Sequence, residues 1–216
     1  MARTRLARQM RFIVELDRLK RVLRRTSLIT TARRENDAEH SWHLAAMAVL
    51  LAEYAPAQIT DLLRVVAMCL LHDVVEIDAG DTFCYDAVGA RTQAAREQKA
   101  ARRIFALLPA DQASACRELW EEFEEGATPE ARYAAALDRL QPLLLNYHSR
   151  GTSWKKHGVS LAQIISRCAP IGDACPALRT YVQGLIDDAV RQGFVPGAGP
   201  HRPRARRGKT PKRLHR

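Results

Sequence analysis

Apolar residues recur every three to four positions along nearly the whole chain, the period of helices that each bury one face. Leu6, Met10, Ile13, Leu16, Leu19 and Leu23 trace a first helix with basic residues on its other side, and Leu6, Met10, Ile13 and Val14 read as core positions. Residues 24–37 are polar and broken, which predicts a loop. Asn36 or Asp37 then caps a second helix that runs through Tyr54 and is stopped by Pro56. Thr60 caps a third helix reaching about His72, and residues 74–88, with Gly80, predict a long connection. A charged helix covers 91–108, and the next starts at Pro109 and ends in an acidic run before Gly126. Thr128-Pro129-Glu130 signals the start of a helix to about Ser149, in which Pro142 must kink the backbone or remove one bond. Residues 160–168 and 175–192 supply the last two helices. No strand-like alternation of useful length, internal repeat, glycine-rich phosphate loop or GxSxG elbow interrupts this pattern. The expected fold class is all-α, a single helical bundle.

Bulk properties narrow the setting. With 216 residues and 47% hydrophobic content the chain suits one domain with a core of its own. No apolar run reaches the roughly 18 residues of a membrane span. The arginine-rich start has no apolar stretch before a small-residue cleavage site, so no secretory signal is expected. Five cysteines without a CxxC fit free thiols in a reducing cytoplasm. Eight of the ten net positive charges lie in 201–216, which contains no acid. The expected division is therefore a folded unit over 1–195 and a basic, disordered tail over 196–216, able to make weak nucleic-acid contacts by counter-ion release. A solvated tail with no dedicated partner is the plainer alternative.

Polar residues inside apolar runs carry the candidate chemistry. His72-Asp73 closes the run 62–71 and leads into Glu76 and Gly80-Asp81. His40 stands 32 positions upstream in a helical setting, and Asp138 interrupts the apolar helix after Thr128. A buried carboxylate is costly without a cation, and two imidazoles with two carboxylates suit one divalent metal that keeps positions for water and substrate. The plain alternatives are a capping or core histidine at position 72 and, for Asp138, a pair with the adjacent Arg139 or with another arginine.

The order His40, His72-Asp73, Asp138 on successive helices resembles the HD-domain superfamily of metal-dependent phosphohydrolases. The segments 33–40 (RRENDAEH) and 72–81 (HDVVEIDAGD) are similar to its bacterial 5′-deoxynucleotidase branch and eukaryotic relatives. The similarity spans about 8–150 and, more weakly, to 190. It implies an HD-domain bundle with a metal site between helices, built by His40, His72, Asp73 and Asp138 around one divalent ion (manganese, cobalt, iron, zinc or magnesium). It implies proton handling by Glu76, a second acid at Asp81, phosphate binding by Arg25, a nucleotide substrate and a homodimer. Thr26 stands where the branch often has a tryptophan against the sugar, which leaves the deoxyribose preference open.

Elementary chemistry supports the assignment separately. Glu76 follows Asp73 by three residues and shares its side in a continued helical turn, setting a proton-transfer group beside the ion. An arginine fork suits phosphate oxygens. No histidine lies between His72 and Asp138; dinuclear relatives place further ligands in that interval, so a single metal is expected. His43 and Glu39 can orient His40 or serve the helix alone. Trp42 and Trp120 suit the core or an interface, and Trp154 a packed loop anchor or a base contact. The function expected is hydrolysis of (deoxy)nucleoside 5′-monophosphates to nucleoside and phosphate. The alternatives are another nucleotide or phosphorylated metabolite, or a non-catalytic nucleotide-binding scaffold whose tail binds nucleic acid.

Overall fold

A computed structural model describes residues 4–31 and 33–196. The tail expected over 196–216 lies outside the described residues beyond position 196. Among the described residues there are ten α-helices: α1 (Arg5–Leu16), α2 (Asp37–Leu50), α3 (Leu62–Leu71), α4 (Glu76–Ala79), α5 (Ala90–Phe105), α6 (Ala110–Glu125), α7 (Pro129–His148), α8 (Thr152–His157), α9 (Leu161–Ala174) and α10 (Pro176–Arg191). No helix among the described residues is long and apolar enough to cross a membrane.

Local signals set the helix starts. Asn36 accepts from the Glu39 N–H while Glu39 reaches back to the Asn36 N–H, a reciprocal cap that spends Glu39 on α2, with Arg33 holding its other side. Thr128 and Ser160 cap α7 and α9. The third helix starts one residue later than expected: Asp61 accepts from the Arg64 N–H, while the Thr60 N–H and hydroxyl both turn to Glu130 on α7.

Four other expectations are corrected. The 24–37 stretch contains an antiparallel ribbon, β1 (Leu23–Ser27) with β2 (Arg34–Asn36), in irregular register. The 74–88 connection opens with a 3-10 turn (His72–Val75) and α4 before its loop. Leu6, Met10, Ile13 and Val14 are exposed, because α1 instead turns Phe12 inward. The core reading of Trp42 is also removed by its exposure, which leaves the interface reading, whereas Trp120 is a core residue. Pro142 does not end α7; having no N–H, it leaves the Asp138 carbonyl without its usual donor one turn back.

The core has two parts. One gathers Leu44, Met68, Tyr133, Leu137 and Ile171 between α2, α3, α7 and α9. The other gathers Phe12, Val74, Ile104, Phe105 and Trp120 from α1, the 3-10 turn, α5 and α6. Cys69 belongs to the first and Val74 to the second. His72 and Asp73 therefore lie at the seam, where packing on both sides fixes their rotamers.

Candidate metal centre

The four predicted ligands, 98 residues apart at their extremes, converge. Ligand atoms of His40, His72 and Asp73 lie within 4.8 Å of one another, and all three residues are buried. His40 Nε2 is 3.1 Å from Asp138 Oδ1 and 3.9 Å from Asp73 Oδ2, and His72 Nε2 is 3.1 Å from Asp73 Oδ1. Asp138 has its arginine partner, but it is Arg167 on α9 at 2.9 Å rather than the adjacent Arg139, which bonds its own helix at Ala135.

The histidine bonds reveal what this arrangement lacks. Gln141 Nε2 donates to the Glu35 carboxylate, which fixes Gln141 Oε1 as the acceptor facing His40 Nδ1 at 3.1 Å. His40 Nδ1 must then carry the proton, leaving the Nε2 lone pair aimed at Asp138 and Asp73. His72 repeats the pattern, donating from Nδ1 to the Cys69 carbonyl at 3.0 Å, and its buried Nε2 has no hydrogen-bond partner. Burial, reinforced by Arg24, lowers the His40 pKa to about 4, so the ring is neutral at pH 7. Two imidazole lone pairs facing two carboxylates repel one another unless a cation stands between them. The donor set fits a divalent ion held by two nitrogens and two carboxylates.

Arg24 is the functional residue that sequence reasoning missed. Its guanidinium is 2.8 Å from Asp73, 3.6 Å from Asp37 and 3.9 Å from Asp138, inside the cluster. Burial opposes its charge, but Asp73 and Asp138 overcome that and raise its pKa. Asp138 shows the same contest: burial favours the neutral acid, yet the Arg167 guanidinium at 2.9 Å favours the carboxylate, and the carboxyl lies well below its usual range. Arg25 lines the same cleft and forms no ion pair among the described residues, which leaves its fork available.

Glu76 is buried, and one of its oxygens lacks a partner. Burial, then Asp73 and Asp37, push its pKa well above normal, and burial with Asp73 takes Asp37 to about 8. Three buried carboxylates, Asp37, Asp73 and Glu76, have oxygens within 4.8 Å of one another, which disfavours charge on Asp37 and Glu76. Asp81 and Thr26 line the cleft, and burial raises the Asp81 pKa while Arg24 opposes the rise. His43 Nδ1 meets Gln141 Nε2 at 3.2 Å and so touches the residue that orients His40. Trp154 is packed into α8 and borders the cleft, whose volume is about 330 Å³.

Known proteins share this arrangement of helices. The family model described as "HD domain" matches residues 16–179. Human 5′-deoxynucleotidase HDDC2 is 30% identical over 139 residues, covering 62% of this chain and 65% of the human protein. The Xenopus laevis protein of the same name is 26% identical over 136 residues, covering 62% and 66%. The chain thus spans just under two thirds of the length of these curated relatives. A solved structure of a "Predicted metal-dependent phosphohydrolase" from Magnetospirillum magnetotacticum MS-1 is 51% identical with a TM-score of 0.85, covering 88% of this chain and 95% of that one. The matched stretch contains the whole His40 to Asp138 cluster and all but the ends of the helical frame, and on that match this chain belongs to the HD-domain family.

Proposed function

We propose that the protein is a metal-dependent phosphomonoester hydrolase acting on (deoxy)nucleoside 5′-monophosphates and releasing nucleoside and inorganic phosphate. One observation carries this reading: the unprotonated nitrogens of His40 and His72 both face the carboxylates of Asp73 and Asp138 within a cleft rimmed by unpaired arginine. The names of the HD-domain relatives point the same way.

His40, His72, Asp73 and Asp138 would hold one divalent ion. When bound, that ion supplies Lewis acidity, polarising a phosphoryl oxygen and acidifying water. Arg25 grips the remaining phosphate oxygens with its fork, and Arg24, tied to Asp73, keeps the carboxylate oriented. Glu76, its pKa raised by burial and then by Asp73, is placed to hand a proton to the 5′ oxygen of the leaving nucleoside. Asp81, on the same cleft, is a second acid near the site. Thr26, smaller than tryptophan, leaves room against the sugar, so both sugar forms are accepted. The exposed apolar residues Leu6, Met10, Ile13 and Val14 on α1 suit a homodimer contact.

The test is a panel of 5′-mono-, di- and triphosphates in ribose and deoxyribose forms, incubated with manganese- or cobalt-loaded protein. Phosphate release confined to monophosphates is expected. Release from triphosphates alone, or from none, rejects the reading.

A further inference from the structure

Four guanidiniums face the cleft, and their charge is matched unequally. Arg24 is paired with Asp73 and Arg167 with Asp138. Arg139 has no carboxylate partner among the described residues; its only side-chain hydrogen bond there runs to the Ala135 carbonyl at 2.7 Å. The other acids on the cleft wall, Glu76, Asp81, Glu97 and Glu124, come from α4, the loop after it, α5 and α6, whereas Arg139 and Arg167 come from α7 and α9.

The surroundings of Arg139 suit a flat ring. Tyr85, Trp154 and Leu143 line the same cleft. Asn146 donates to the Pro142 carbonyl at 2.9 Å, and its oxygen accepts from the Trp154 backbone N–H at 3.2 Å. The free polar groups on this side are therefore mainly donors. A ring edge bearing acceptors satisfies them, while an amino group there opposes donor to donor.

Resting on the nucleoside monophosphate reading above, we propose that Arg139, beside Arg167, reads the base of the leaving nucleoside and selects for a carbonyl at the purine 6 or pyrimidine 4 position. Guanine, hypoxanthine, thymine and uracil present that oxygen; adenine and cytosine present an amino donor in its place. The purines add a second acceptor at N7 that matches a guanidinium fork, which places dGMP and dIMP ahead of dTMP.

The experiment compares kcat/KM of manganese-loaded, full-length protein for dGMP, dIMP, dTMP, dAMP, dCMP and base-free 2-deoxyribose 5-phosphate. The oxo bases should lead the amino bases by roughly tenfold, the order one bidentate contact discriminates. Arg139→Gln should collapse that ratio towards one, and Arg139→Lys, which keeps charge without the fork, should lower dGMP more than dTMP. A ratio unchanged in folded Arg139→Gln and Arg139→Lys proteins overturns the proposal, as does a wild-type protein that favours amino bases or none. Failure to hydrolyse any compound, base-free sugar phosphate included, instead rejects the parent reading and removes the basis for this one.

Discussion

Gln141 offers the sharpest perturbation, because it touches no substrate and acts through the orientation of one ring. It is fully buried on α7, one turn from Asp138 and on the same side. Its oxygen receives the His40 Nδ1 proton at 3.1 Å, and its nitrogen satisfies Glu35. Gln141→Met keeps the length of the side chain and removes both bonds. Two buried polar groups then lose a partner, at about 1–3 kcal/mol each before relaxation. His40 can also adopt the other tautomer, protonated at Nε2, which turns a donor towards the ion. Losing a partner that orients a ligating histidine commonly weakens metal affinity 10- to 100-fold, or about 1.4–2.7 kcal/mol. Calorimetric titration of metal-free protein with manganese should show this loss, with circular dichroism confirming the fold. Gln141→Glu keeps an acceptor for Nδ1 and should retain most of the affinity. A folded Gln141→Met protein with wild-type manganese affinity would refute the claim that Gln141 sets the His40 lone pair.

Other outcomes follow from the same geometry. Arg25→Lys keeps the charge but loses the fork, and should lower kcat/KM for a monophosphate by roughly tenfold or more, mostly through KM, with metal content unchanged. Glu35 and Glu124 are pushed up to about 7 and Asp37 to about 8, burial being the leading cause in each. An acid with a raised folded pKa contributes stability that is complete below its unfolded value near 4 and is lost as pH rises through the folded value. The melting temperature of metal-free protein should therefore fall between about pH 4 and 8, and saturating manganese should flatten the fall; a melting temperature that rises over this range contradicts the burial of these acids. Gly151 has φ +74°, and an added Cβ would lie 1.9 Å from the Phe194 carbonyl oxygen. Gly151→Ala should cost about 2–4 kcal/mol in urea unfolding, and a neutral result would contradict that close approach.

The legible part of the site was the part that broke a pattern. His40, His72-Asp73 and Asp138 sit among leucines, valines and alanines, so their polarity demands a reason within the sequence itself. Arg24, Glu35 and Asp37 lie in a stretch already rich in charge, and nothing local distinguishes a guanidinium buried among carboxylates from one in water. Their burial follows from the β1–β2 ribbon. That ribbon escaped notice because Leu-Arg-Arg-Thr-Ser has no alternation, and its partner strand is three residues long. Gln141 and Arg167 were missed for a related reason: each matters through a partner on another element, Gln141 through His40 and Arg167 through Asp138. The helices of the bundle were readable from apolar spacing and from Asn36, Thr128 and Ser160 caps, whereas short α8 carries only six residues and no cap. On α1 the apolar positions were visible, but which of them faced the core was not, since a second apolar face reads like the first.

The central claim is that four side chains from distant parts of the chain share one divalent ion. Elemental analysis of protein purified with manganese, repeated on Asp138→Asn and His72→Ala proteins whose fold is verified, tests it most directly. The account predicts close to one equivalent of metal per wild-type chain, little in either variant, and phosphate release that tracks metal content. Full metal occupancy in both variants, or wild-type phosphate release after complete chelation, would contradict it.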